Sequence, residues 1–227
     1  MLKAQTHQLW LDYLAAEKDR IRSLTMPALD HFIESLLQHE AEVWHAWALD
    51  LARQVSDERA EIPVRFPLFR QVLLPTLADG VRRELPGCAR WLAEFESLLV
   101  NSDAGVLPDH LQSSVGLLRE AIRVDAADSL ARRRLVSRWS SYLDYTLHEL
   151  PDGVLYGQNG ATAEQCGELL ELLDEFRGHV RSIGETEKFA ELISECDFHF
   201  RSYREYLLQE RPGGSYEEFL ASLDSEG

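Results

Sequence analysis

The chain has little that would take it out of water or cross-link it. Of 227 residues only three are cysteine, and Cys88, Cys166 and Cys196 are far apart, odd in number and in no Cys-x-x-Cys pair. That excludes a disulfide framework and a paired-thiol motif, and it fits a reducing cytoplasm. No stretch approaches the roughly 18–20 continuous apolar residues of a membrane span. The opening MLKAQTHQLWLDYLAAEKDR lacks an apolar run ending in small residues, so no secretory leader is expected. Also missing are a Gly-x-Ser-x-Gly elbow, a P-loop, a Gly-x-Gly-x-x-Gly fingerprint and His-Glu-x-x-His, the spacings that carry acyl transfer, nucleotide binding and zinc proteolysis. Basic charge is short as well, with 23 Lys+Arg against 39 Asp+Glu and a net charge of −16.

What is present is an ordinary globular composition, 45% hydrophobic and 27% charged. The acid is unevenly placed along it. Residues 1–138 hold 17 Lys+Arg and 20 Asp+Glu, a net of −3, whereas residues 139–227 hold 6 and 19, a net of −13. The acidic stretches alternate with apolar residues, so they read as the surface of folded helices. Arg119, Arg123, Arg132, Arg133, Arg134 and Arg138 form a local basic cluster, which reads as a solvated helix face paired with nearby carboxylates. A nucleic-acid patch there would oppose the field of the whole chain and has no supporting motif, so no nucleic-acid partner is expected.

Apolar residues recur at three- and four-residue spacings throughout, and no stretch alternates as a strand would. The spacing predicts helices over about 5–24, 27–55, 67–84, 88–100, 108–124, 128–150, 162–183 and 186–209, with a short terminal helix after Ser215. Thr25, Asp128 and Thr186 stand as caps, and Thr162-x-x-Gln165 and Ser215-x-x-Glu218 as capping boxes. Pro75 should kink or split the third helix. The expectation is an all-α protein of eight or nine helices packed as antiparallel hairpins, a bundle or a short α–α superhelix. It would form one domain over residues 1–227, with a soft boundary near 102–107.

Residues 121–135, AIRVDAADSLARRRL, resemble the junction between adjacent tetratricopeptide repeats. An Ala-aliphatic-x-aliphatic-Asp stretch ends one helix there, and Ala131 and Leu135 begin the next. Residues 86–92, PGCARWL, echo it about 40 residues earlier rather than at that family's 34-residue period. Ala126 stands where the family usually has proline. The resemblance implies stacked helical hairpins over about one-tenth of the chain.

Several residues suggest chemistry. The segment from His31-x-x-Glu34 through Glu42-x-x-His45 carries the Glu-x-x-His spacing of di-iron helices, with His31, Glu34, Gln38, Glu42 and His45 in one sector of a continuous helix. That sector opposes Ile33, Leu36, Leu37, Val43, Trp44 and Trp47, so it reads as a solvated face and no metal is expected. Glu40 falls within the apolar side, where a carboxylate is costly unless it is paired or near a helix break. It is therefore a candidate buried polar residue, by partner or by function. Acid–His pairs at i,i+4 recur as Asp144/His148, Glu175/His179 and Glu195/His199; the first two read as exposed, and His199 as a candidate buried polar group beside Leu192 and Tyr203. Cys196-x-x-His199 could supply two zinc ligands but has no other cysteine nearby. The connection LPDGVLYGQNGAT is long for a helix–helix link. Its Asp152, Tyr156, Gln158 and Asn159 are candidate binding residues, unless the loop folds back as a core plug.

These features imply a non-catalytic cytoplasmic helical interaction module, without cofactor, whose acidic portion meets a basic protein partner, as an immunity protein, an antitoxin or an adaptor would. The alternative is a small-molecule or metal-dependent enzyme with a polar cavity around Glu40, with His31 or His199 as further candidate groups.

Overall fold

A computed structural model of the chain describes residues 2–102, 105–150, 152–157, 160–209 and 214–225. All regular structure among them is helical. The order is α1 (Ala4–Lys18), α2 (Arg22–Leu37), α3 (Ala41–Ser56), α4 (Phe66–Leu68), a π-helical turn (Phe69–Leu73), α5 (Leu74–Arg82), α6 (Cys88–Glu94) and α7 (Glu96–Leu99). There follow α8 (Ser114–Val124), α9 (Ser129–Thr146), α10 (Ala163–Ser182), α11 (Ala190–Leu208) and α12 (Tyr216–Ser225). No described helix is long and apolar enough to cross a membrane.

The chain divides into two compact units, residues 1–131 and 132–227. The division falls inside α9; in the first unit Leu107 and Leu111 are buried and the turn at Asp109–Leu111 packs on α8. In the first unit α1 packs on α2, and Trp10, Phe32 and Trp47 pack ring on ring at 4.9–5.2 Å with Tyr13 beside Trp10. Such aromatic clusters carry a large share of a small core. Further along, α6 packs against α5 and α8.

The expected single helix over 27–55 is two. It breaks at residues 38–40, where Glu40 takes an extended conformation and starts α3. The expected helix over 67–84 is split, as Pro75 required. Proline offers no N–H to the carbonyl four residues back and crowds it, and the widened turn at Phe69–Leu73 absorbs the mismatch just ahead.

In the second unit α10 packs on α11, and α12 on α11. Leu169, Leu173, Phe176 and Val180 of α10 and Cys196 and Phe200 of α11 are buried. The Thr162–Gln165 capping box is formed, with Gln165 N–H on Thr162 Oγ1 and Thr162 N–H on Gln165 Oε1. The Ser215–Glu218 box is formed in the same way. Asp128 caps α9 through Oδ1, which accepts from Ala131 N–H at 2.9 Å.

Candidate functional site

Glu40 is not a buried group. The break between α2 and α3 makes it the residue before the first turn of α3, exposed, with its backbone carbonyl accepting from Val43 N–H. A continuous-helix projection put it among apolar side chains, and the break takes it out of both helices. The same break distributes the His31–His45 stripe over two helices. His31, Glu34 and Glu42 are exposed, and His45 lies edge-on to Trp44. Among the described residues no three His, Cys, Asp or Glu side chains are placed to share a metal ion.

His199 is half-buried on α11, with Nδ1 and the Tyr216 hydroxyl 3.0 Å apart. Tyr216 also donates to the His199 carbonyl. Burial holds the imidazole below its usual pKa, against the opposing charge of Glu195. His179, expected on the surface, instead lies half-buried against Trp139, with ring centroids 5.5 Å apart and Glu175 at 3.8 Å. Asp144 and His148 are exposed as expected. Burial pushes the Cys196 thiol up to about 12, aided by the charges of Glu195 and Asp144, and Cys88 and Cys166 up to about 11. All three stay protonated thiols, poor ligands and poor nucleophiles.

The loop after α9 is in large part a plug. Val154 is fully buried, Leu155 N–H donates to the Thr146 carbonyl, and Ala161 N–H donates to the Val154 carbonyl. Gly153 has φ +139°, and a Cβ there would sit 2.8 Å from the Tyr203 hydroxyl, so the backbone lies directly on that ring. Of the four loop residues singled out from the sequence, Gln158 and Asn159 lie outside the described residues. Asp152 is exposed and Tyr156 half-exposed, with its hydroxyl 3.5 Å from Glu168 Oε2.

Around those two the structure assembles a patch. Tyr145 is 59% exposed at the end of α9, with His148 stacked on it, and Tyr142 is 38% exposed beside it in sequence. Burial, and then the proximity of Tyr156 and Glu168, raise the Tyr142 hydroxyl pKa. Glu168 lies near Tyr142 and Tyr156, and Asp144, Glu149 and Asp152 are their neighbours in sequence; all four are exposed and have no basic partner among the described residues. The patch thus combines exposed ring area with carboxylates of one sign.

The placement of charge along α9 strengthens the contrast. Arg132, Arg133 and Arg134 fall in its N-terminal half, Arg138 just past its middle, and Asp144 in its last turn. Asp144 therefore sits at the helix end where the backbone dipole is already negative, costing about 0.3–1 kcal/mol where a cation would gain it. The arginines are offset by pairing, Arg133 with Glu185 and, in the first unit, Arg123 with Glu120 and Glu84. Asp144 has no such partner. Because these arginines belong to the second unit, its net charge is −9, against −7 for residues 1–131, so the asymmetry lies within the second unit more than between the two.

Sequence reasoning missed Tyr142 and Tyr145 as a surface pair and missed the Tyr13–Glu17–Arg65 group of the first unit. Helical projection puts Tyr142 between buried Ala131 and Thr146, so the first reads as core from the sequence. The second joins residues 48 positions apart and has no local signal. No protein-family profile matches the chain, and no similar curated protein or solved structure is found.

Proposed function

We propose that the protein is a non-catalytic helical interaction module that binds a basic protein partner through the end of α9 and the loop after it. Tyr142, Tyr145 and Tyr156 provide contact area, and Asp144, Glu149, Asp152 and Glu168 provide the field. One observation carries the reading: carboxylates cluster unpaired at a helix C-terminus, where they cost the fold energy, beside rings that folding leaves in water. An immunity or antitoxin-type protein capping a basic partner is one form of such a module; an adaptor is another.

The test uses a photo-crosslinking residue in place of Tyr145 in the full chain, with identification of what is captured in the native host. We expect a protein basic at its contact face. Capture should fall steeply as salt rises over the physiological range, where the screening length is about 8 Å. It should be lost on combining Asp152→Lys with Glu168→Lys. A partner captured equally at high salt, or equally by the charge-reversed protein, overturns the reading.

A further inference from the structure

The first unit holds a cleft of about 590 Å³ lined by Glu17, Arg20, Thr25 and Met26 on one side and Arg65, Phe66 and Pro67 on the other. Its volume lies in the range of small-ligand sites. Its floor is a built polar group. The Glu17 carboxylate, only 8% exposed, accepts from Arg65 Nε at 2.6 Å and Nη2 at 2.7 Å and from the Tyr13 hydroxyl at 3.1 Å. That hydroxyl also donates to the Pro63 carbonyl, and Tyr13 is fully buried. Arg65, through its hydrogen bonds first, holds the Glu17 pKa below the carboxylate range, so this acid is charged and already neutralised.

Two cationic groups remain to the cleft. The Arg65 side chain is 57% exposed and uses only Nε and Nη2 on Glu17, which leaves its Nη1 group. Arg20 is exposed and has no ion-pair partner among the described residues. It occupies the left-handed region at φ 57°, closing α1 with its N–H on the Glu17 carbonyl. That region favours glycine or asparagine at a helix end, and an arginine there costs about 1–2 kcal/mol. Met26, Phe66 and Pro67, all half-exposed, supply the apolar wall of the same cleft.

From this arrangement we infer that the cleft binds a small organic monocarboxylate, its carboxylate on Arg20 and Arg65 and its apolar tail on Met26, Phe66 and Pro67. Two guanidinium groups and one carboxylate leave a single positive charge, which matches a monoanion. A phosphate dianion would bring a second negative charge against the fixed Glu17. Guanidinium forks pair with carboxylates through two parallel hydrogen bonds, and the wall selects for an alkyl or aryl tail. The site lies in the first unit and does not depend on the docking surface of the second.

Amide NMR titration of the full chain tests it with three probes: hexanoate, the neutral hexanamide and inorganic phosphate. Hexanoate should move the amides of residues 17–26 and 65–66 saturably below about 10 mM. Hexanamide should bind at least about tenfold more weakly, phosphate should give no saturable shift, and Arg20→Ala should weaken hexanoate about tenfold. Arg20→Gly suits the left-handed backbone and keeps the comparison should alanine disturb the turn. Equal binding of hexanamide, tighter binding of phosphate, shifts elsewhere, no response to hexanoate, or Arg20 variants that bind as the parent does each overturn the assignment.

Discussion

The two units carry a similar excess of acid, −7 and −9, and treat it differently. In the first, the most buried charges are matched. Arg90, 8% exposed, donates from Nε to Asp128 at 2.7 Å and from Nη1 to Asp57, and Asp57 also accepts from Trp91 Nε1 at 2.8 Å. Asp128 uses its other oxygen to cap α9. These carboxylates hold α3, α6 and the start of α9 in register and have little left to offer a partner. In the second unit Asp144, Glu149, Asp152 and Glu168 are exposed and have no basic partner among the described residues, whereas Asp174, Glu185 and Asp197 are paired with Arg177, Arg133 and Arg201. Asp57 and Asp128 of the first unit act as internal fasteners, and we propose that Asp144, Glu149, Asp152 and Glu168 of the second act as an external field.

The largest effect should come from removing the fastener. Arg90→Met leaves two carboxylates facing each other with no cation, one of them on Asp128, whose side chain is only 7% exposed. We expect a loss of about 3–5 kcal/mol in urea unfolding. Adding Asp57→Asn and Asp128→Asn should recover part of it. Arg201→Ala, which removes an exposed pair with Asp197 in the second unit, should leave the unfolding midpoint close to its parent value. Equal effects from the two arginines would erase the contrast.

Next comes the plug. Val154→Ala opens a cavity in the second unit and should cost about 2 kcal/mol. By contrast, Asp152→Lys with Glu168→Lys touches only exposed groups and should change stability by no more than about 0.5 kcal/mol. The pair of variants separates the loop's buried role from its surface role, read as stability in one and partner capture in the other.

The smallest effect is one of pH. The folded-state pKa of His199 is lowered, so the unfolded chain, titrating at about 6.5, binds more protons just below that value. Stability therefore falls as pH drops through about 6.5 and levels off once the folded pKa is passed. In His199→Gln the denaturation midpoint, compared between about pH 7.5 and 5.5, should shift less than in the parent. An unchanged shift would remove His199 from the account.

Much of the architecture was legible because helices announce themselves locally. Period, capping boxes and Pro75 act within a few residues, and each appears in the structure. What escaped was non-local or hung on one break. Nothing near residue 40 in the sequence stops a helix as proline or glycine would, so Glu40 was projected onto a face it never joins. Arg90 with Asp57 and Asp128, and Glu17 with Arg65, join residues 33–48 positions apart, and only tertiary packing brings them together. For the site, the loop's Asp152 and Tyr156 were readable from its length and composition, whereas the tyrosines that complete the patch sit inside a helix that reads as core.

We propose above all that the acid at the end of α9 acts outward. The most direct test is the ionic-strength dependence of affinity for the captured partner, measured for the parent chain and for the Asp152→Lys/Glu168→Lys protein. A parent affinity that falls steeply with salt, and a variant whose affinity is at least about tenfold lower at low salt and nearly flat thereafter, is the predicted result. Parallel salt dependences of equal magnitude in the two proteins would contradict it.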